Sequence, residues 1–204
     1  MQNRFPLPLV ALAIAFLLLV VGLTLNATVP APTQTAAMGQ GGPSIGTFQL
    51  MDQNGQAVSQ KDVLGKPALF FFGFTYCPDV CPTVLASMTA SLAKLGPDAD
   101  KLNVYFVSVD PERDTPAVLK TYLSSFDPRI RGLTGSREQI AAIAKSLGVY
   151  FAKVETGGGS YSVDHSALVI QLDSNGKFFG TIAFDEAGEA IVDKMKRLVR
   201  EGVR

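Results

Sequence analysis

Soft-metal and redox side chains are scarce in this chain, which has two cysteines, Cys77 and Cys81, and one histidine, His165. Structural zinc sites normally take four protein ligands, and no third cysteine or second histidine exists to complete such a set. Formal net charge is zero, with 18 basic residues against 18 acidic ones. The two signs are interspersed, so no basic face for nucleic acid is expected. No internal repeat is evident, which removes repeat architectures. Charge is missing altogether between Leu7 and Leu25, and no cysteine adjoins that run, which excludes a lipid-modified N-terminus.

The uncharged run, interrupted by Pro8 and Gly22, approaches the roughly 20 residues that cross a bilayer as a helix. A cleaved signal peptide would have a shorter apolar stretch of about 7–15 residues, with small residues such as Ala27 and Ala31 at its cleavage site. The expectation is an uncleaved transmembrane anchor over residues 7–27, preceded by a short cytoplasmic N-terminus, residues 1–6. Arg4 holds that lead on the cytoplasmic side by the positive-inside tendency. The lead is too short for an Arg- and Ser-rich transit peptide. This points to the bacterial cytoplasmic membrane, with the C-terminal part in the periplasm. Residues 28–44 are Pro, Ala, Thr, Gln and Gly without charge, a composition that cannot build a core and reads as a flexible linker. The remainder, residues 45–204, fits a single domain.

Within that domain, Ala68 to Phe72 and Val104 to Val109 are short β-favouring runs of the kind buried on both faces of a sheet. Pro82 to Leu95 has helical character and is stopped by Gly96-Pro97. Thr115-Pro116 opens a second helix with Val118, Leu119, Tyr122 and Leu123 on one stripe. Ser136 and Gln139 form a capping box ahead of Ile140, Ile143, Ala144 and Leu147. Strands Ala167 to Leu172 and Phe178 to Ala183 are joined through Asn175-Gly176, a hairpin signal. A final amphipathic helix carries Ile191, Val192, Met195, Leu198 and Val199. The alternation predicts an α/β thioredoxin-like fold, a central mixed sheet flanked by helices, preceded by the N-terminal transmembrane helix.

Both cysteines fall in the turn from the first buried strand into the first helix. Pro82 disfavours helical geometry at Cys81, so the helix is expected to start at Pro82 with Cys81 near its N-cap. A positive helix end favours the thiolate, which is both nucleophile and metal ligand. His165 is expected in a loop just before the strand from Ala167. Three chemistries compete. A structural disulfide is the plain expectation outside the cytoplasm, but so short a loop restrains little chain entropy. A dithiol oxidoreductase with the thioredoxin motif has two residues between its cysteines, and here there are three. A metal site is the third, since two thiolates and an imidazole are soft or borderline ligands that suit copper. Three ligands fit Cu(I); Cu(II) would need an added oxygen ligand or water.

The segment Phe72-Gly73-Phe74-Thr75-Tyr76-Cys77-Pro78-Asp79-Val80-Cys81-Pro82 resembles the signature of the Sco/SenC family of copper-binding assembly factors for cytochrome c oxidase. Val107-Ser108-Val109-Asp110-Pro111-Glu112-Arg113-Asp114-Thr115-Pro116 and Val163-Asp164-His165-Ser166 are similar to two further stretches of that family. The departures are minor, chiefly at Gly157-Gly158-Gly159. The resemblance implies a copper site made by Cys77, Cys81 and His165, with the dinuclear copper centre of cytochrome c oxidase subunit II as client. It implies a further partner outside the chain, a copper-donating periplasmic chaperone or a thiol reductase. Family members are also credited with thiol-disulfide chemistry, which would make Cys77 and Cys81 a redox pair. A peroxiredoxin-like peroxidase is a more distant reading. Asp110 is a tempting fourth participant, but the plainer expectation is that Asp110 to Pro116 forms a turn and caps the next helix. Asp164 is a candidate to orient His165. Phe70, Phe71, Phe72 and Phe74 read as core, and Met38, Met51, Met88 and Met195 show no clustering of the kind seen in Met-rich copper transport sites.

Overall fold

The computed structural model describes residues 42–203. The predicted lead, the anchor and residues 28–41 of the linker lie outside the described residues; among those described, no helix is long and apolar enough to cross a membrane.

The chain runs β1 (Gln49–Asp52), β2 (Ala57–Ser59), α1 (Gln60–Val63), β3 (Ala68–Gly73) and α2 (Val80–Leu95). A 3-10 turn (Gly96–Lys101) leads into β4 (Asn103–Ser108), α3 (Pro116–Leu123), β5 (Ile130–Thr134) and α4 (Arg137–Ser146). Then follow β6 (Phe151–Gly157), β7 (Ser160–His165), β8 (Leu168–Leu172), β9 (Phe178–Ala183) and α5 (Gly188–Glu201). Seven strands form one mixed sheet in the order β2-β1-β5-β4-β3-β8-β9, while β6 and β7 pair only with each other. The pairs β3–β4 and β4–β5 are parallel, and β8 runs antiparallel to β3.

The apolar run of β3 explains its central place. Leu69, Phe70, Phe71 and Phe72 are all at 0% exposure, so both faces of the strand are covered, and each large side chain contributes about 1.5–3 kcal/mol by burial. Phe70 packs on Tyr105 and Phe71 on Phe106, the partners set by the parallel register of β3 and β4. Helices α2 and α5 pack on each other, and α3 lies on β5. Met88 and Met195 are buried in this core, whereas Met51 is exposed.

Several expectations hold closely. Ser136 and Gln139 form the capping box of α4, Thr115 caps α3 through the backbone N–H of Val118, and Gly176 sits in the β8–β9 turn at φ 74°. Others need correction. Helix α2 begins at Val80, not Pro82, so Cys81 lies inside its first turn. First-turn N–H groups have no intrahelical acceptor, so Pro82 sits there without breaking a bond, and its bias on the preceding residue is overridden. His165 ends a strand instead of lying in a loop. On α3 only Leu119 and Leu123 of the predicted stripe are fully buried, while Val118 faces out. Strands β1, β2 and β5 and the β6–β7 ribbon are additional to the predicted elements. Pro43 and Ser44, placed at the end of the linker, already bond to the β8–β9 turn: Pro43 O accepts from Phe178 N, and Ser44 bridges Lys177.

Candidate metal centre

Strand β3 ends at Gly73, and the chain turns through Phe74 to Asp79 before α2 begins. The backbone N–H of Cys77 donates to the carbonyl of Phe74 (3.3 Å). The N–H of Cys81, one of the orphan first-turn donors of α2, points at Cys77 Sγ (3.3 Å). Cys77 is half-buried, whereas Cys81 is at 0% exposure. Its seat depends on Gly73, because a Cβ there would stand 2.8 Å from Cys81 Sγ and 2.8 Å from Phe106 Cε2.

From the segment that leads into β8, the sheet neighbour of β3, β7 delivers His165. Its Nε2 lies 3.6 Å from Cys81 Sγ, and its ring meets those of Phe74 and Phe71 edge-on. Nδ1 is 3.1 Å from the carbonyl of Ser166. A carbonyl only accepts, so Nδ1 carries the proton, and in a neutral ring Nε2 is left as the acceptor facing the Cys81 thiol. One ligand atom each from Cys77, Cys81 and His165 lie within 4.8 Å of one another, close to the span of about 4.6 Å that a single ion bridges with metal–sulfur bonds of about 2.3 Å.

Burial dominates the electrostatics of His165 and Cys81. Burial is the main force lowering the His165 pKa, which keeps the imidazole neutral and ready as a ligand. Burial also pushes the Cys81 thiol well above its ordinary value, outweighing the help it receives from the Phe74 backbone. For Cys81 this opposes the expectation that the helix end favours a free thiolate: burial disfavours the anion, and a cation in the proton's place would offset that cost.

Asp110 and Asp164 are not brought into this cluster. Asp110, buried just beyond β4, accepts from Arg113 Nε and from the hydroxyl of Tyr161, and its carbonyl takes the N–H groups of Arg113 and Asp114 to close a turn. The expected turn over residues 110–116 is present, and its Thr115 caps α3. Asp164 is exposed on the opposite face of β7 from its neighbour, and the ring of His165 is oriented by Ser166 instead.

Three supporting residues were not singled out by the sequence reading. Gly73 makes room for Cys81. Asp114, fully buried, accepts from Ser108 Oγ (2.6 Å), Thr75 Oγ1 (2.6 Å) and Thr75 N (3.0 Å), tying the cysteine loop to the end of β4. Arg113 lies against Tyr76 and Tyr161. A glycine ending an apolar strand is a recognised sign of close approach. Arg113 and Asp114 lie in the family-like stretch of residues 107–116, but nothing local to the sequence reveals which segments they bind.

A thioredoxin-like sheet with two thiols and an imidazole gathered at one end defines a class of protein suited to hold a soft cation or to exchange disulfides. The SCO1/SenC family profile matches residues 36–200, and the chain belongs to that family. A SCO2-like protein of Rickettsia felis is 37% identical over 153 residues, 74% of this chain and 75% of that protein. The copper-bound structure of Bradyrhizobium japonicum ScoI superposes with a TM-score of 0.71 at 49% identity, covering 76% of this chain and 99% of that one. Copper-bound yeast Sco1 gives 0.72 at 36% identity, covering 78% and 89%. BsSco, described through a disulfide switch as a member of the Sco family of cytochrome c oxidase assembly proteins, gives 0.64 at 27% identity, covering 78% and 95%.

Proposed function

We propose that this protein is a copper metallochaperone that binds Cu(I) through Cys77, Cys81 and His165 and delivers it to the dinuclear copper centre of cytochrome c oxidase subunit II. The observation that carries the reading is the convergence of two sulfurs and an imidazole nitrogen within 4.8 Å, alongside relatives solved with copper bound. Soft thiolates select Cu(I), and copper is cargo here, not a resident cofactor. Transfer by ligand exchange requires an accessible ligand, and half-buried Cys77 is the one a client thiolate can displace first. Cu(II) would draw on a further oxygen ligand.

In this reading residues 7–27 anchor the chain in the bacterial cytoplasmic membrane, residues 28–44 are the linker, and the domain works in the periplasm, loaded by a copper-donating chaperone or kept reduced by a thiol reductase. The unequal exposure of the two thiols also fits a second role, reduction of the client's cysteines. Cys77 would attack the client disulfide, and Cys81 would displace the client thiolate from the mixed disulfide, leaving the Cys77–Cys81 pair oxidised.

Transfer to reduced, metal-free subunit II tests the proposal. The copper-loaded full chain should pass its metal to subunit II, and Cys77→Ser and Cys81→Ser should not be loadable. Reduction of oxidised subunit II by metal-free protein, without any copper transfer, would favour the reductase role.

A further inference from the structure

The ribbon that carries His165 has no hydrogen-bonded place in the main sheet, since β6 and β7 pair only with each other. Its C-terminal end is tied to the sheet by the short link from His165 to β8, which pairs with β3, and along the rest of its length side-chain contacts set how it leans on the cysteine loop. Three segments distant in sequence meet at Arg113. Its guanidinium carbon is 3.8 Å from the ring centroid of Tyr161 on β7, and 4.6 Å and 6.0 Å from the rings of Tyr76 and Phe74 in the cysteine loop. Its Nε donates to Asp110, and its Nη1 donates to the backbone carbonyl of Tyr161 (3.2 Å). Tyr161 closes the group by donating its hydroxyl to the other oxygen of Asp110 (2.8 Å). The planar guanidinium can offer its faces to rings while its edge donates to oxygens, which lysine cannot reproduce.

We infer that Arg113 is a positioning residue for the copper site: it clamps β7 to the cysteine loop and so fixes the reach of His165 Nε2 to the sulfurs. The inference rests on the reading of Cys77, Cys81 and His165 as Cu(I) ligands. Phe151 and Val163 seat the ribbon on the core, and Lys153 on β6 reaches Glu112 at the surface (3.1 Å). Loss of the arginine therefore loosens the ribbon without releasing it.

The test combines Arg113→Met and Arg113→Lys with His165→Ala in the full chain. Cu(I) affinity is read by competition with a chromophoric chelator, and amide hydrogen exchange is read on the metal-free protein. Either Arg113 change should weaken Cu(I) binding by about 10- to 100-fold, the usual effect of removing a residue that supports a ligand. In the His165→Ala background the same change should alter affinity by less than about twofold, the limit of additivity, because the residue acts through the imidazole. In the metal-free variants exchange should quicken across Ser160–His165 while β3 and β4 stay protected, which also certifies the fold. Equal losses of affinity in both backgrounds, or unchanged exchange in β7, would overturn the inference. If the unaltered chain binds no Cu(I), the copper reading itself fails, and the exchange measurement alone decides whether Arg113 clamps β7.

Discussion

Asp114 holds Thr75 by two hydrogen bonds, one from the backbone N–H at 3.0 Å and one from the hydroxyl at 2.6 Å, so the loop bearing Cys77 hangs on a buried carboxylate supplied by the turn after β4. Burial raises the pKa of this carboxyl, and the donors from Ser108 and Thr75 oppose that cost. Asp114→Ala would strand those donors in the interior. A loss of about 2–4 kcal/mol is expected, since buried groups left unpaired cost about 1–3 kcal/mol each and part of the charge burial is relieved. Urea unfolding of the metal-free protein checks this; a loss below about 0.5 kcal/mol, the scale of ordinary surface changes, would show that the carboxylate does not organise the loop.

Gly73→Ala places a methyl 2.8 Å from both Cys81 Sγ and Phe106 Cε2. Overpacking of this kind costs about 1–3 kcal/mol, and here it also pushes Cys81 from its pocket. Thermal unfolding should register the cost, and alkylation of the folded protein should find Cys81 more reactive than before.

In the reduced, metal-free chain the two thiols should differ sharply. Cys81 is fully buried and Cys77 is not, so Cys77 is expected to alkylate about tenfold faster or more, following access and thiolate character. Peptide mapping after brief iodoacetamide treatment gives the ratio. Equal labelling would contradict the burial of Cys81.

Far from the site, Asp127 contributes to acid sensitivity. The Arg129 side chain, at 2.6 Å and 2.8 Å from its two oxygens, holds the Asp127 carboxyl below its ordinary value against the opposing effect of burial. A depressed folded pKa gives stability that is present above the unfolded value, about 3.9, and is lost as pH falls through the folded one. Asp127→Asn should therefore lower stability at pH 7 and shrink the drop seen on going from about pH 5 to pH 2, a range spanning that transition. Urea midpoints at the two pH values provide the comparison; an unchanged drop would contradict the assignment.

How far the sequence foretold the structure depended on range. Phe70 to Phe72, the Ser136 capping box and the Asn175-Gly176 turn were legible because each signal is local. Strands β1 and β2 are too short, at four and three residues, to show a period, and Arg131 and Gly132 interrupt the apolar run that would mark β5. The polar ribbon β6–β7 has no apolar alternation, because much of it is exposed. The trio Cys77, Cys81 and His165 is legible from the scarcity of such residues and the fold's layout, the family resemblance adds the ligand set, and the structure places the three together. The start of α2 and the partner of His165 were missed for a physical reason. A proline in a first turn costs no hydrogen bond, and a backbone carbonyl leaves no mark on residue identity.

The most direct test of the copper site is anaerobic titration of the reduced full chain with Cu(I), followed by X-ray absorption of the complex with and without His165→Ala. The account predicts one copper per chain with two sulfur neighbours and at least one nitrogen, and a His165→Ala variant that stays folded, binds more weakly and loses that nitrogen. A folded, reduced chain that binds no copper tightly, or a His165→Ala variant with full affinity and an unchanged nitrogen shell, would contradict it.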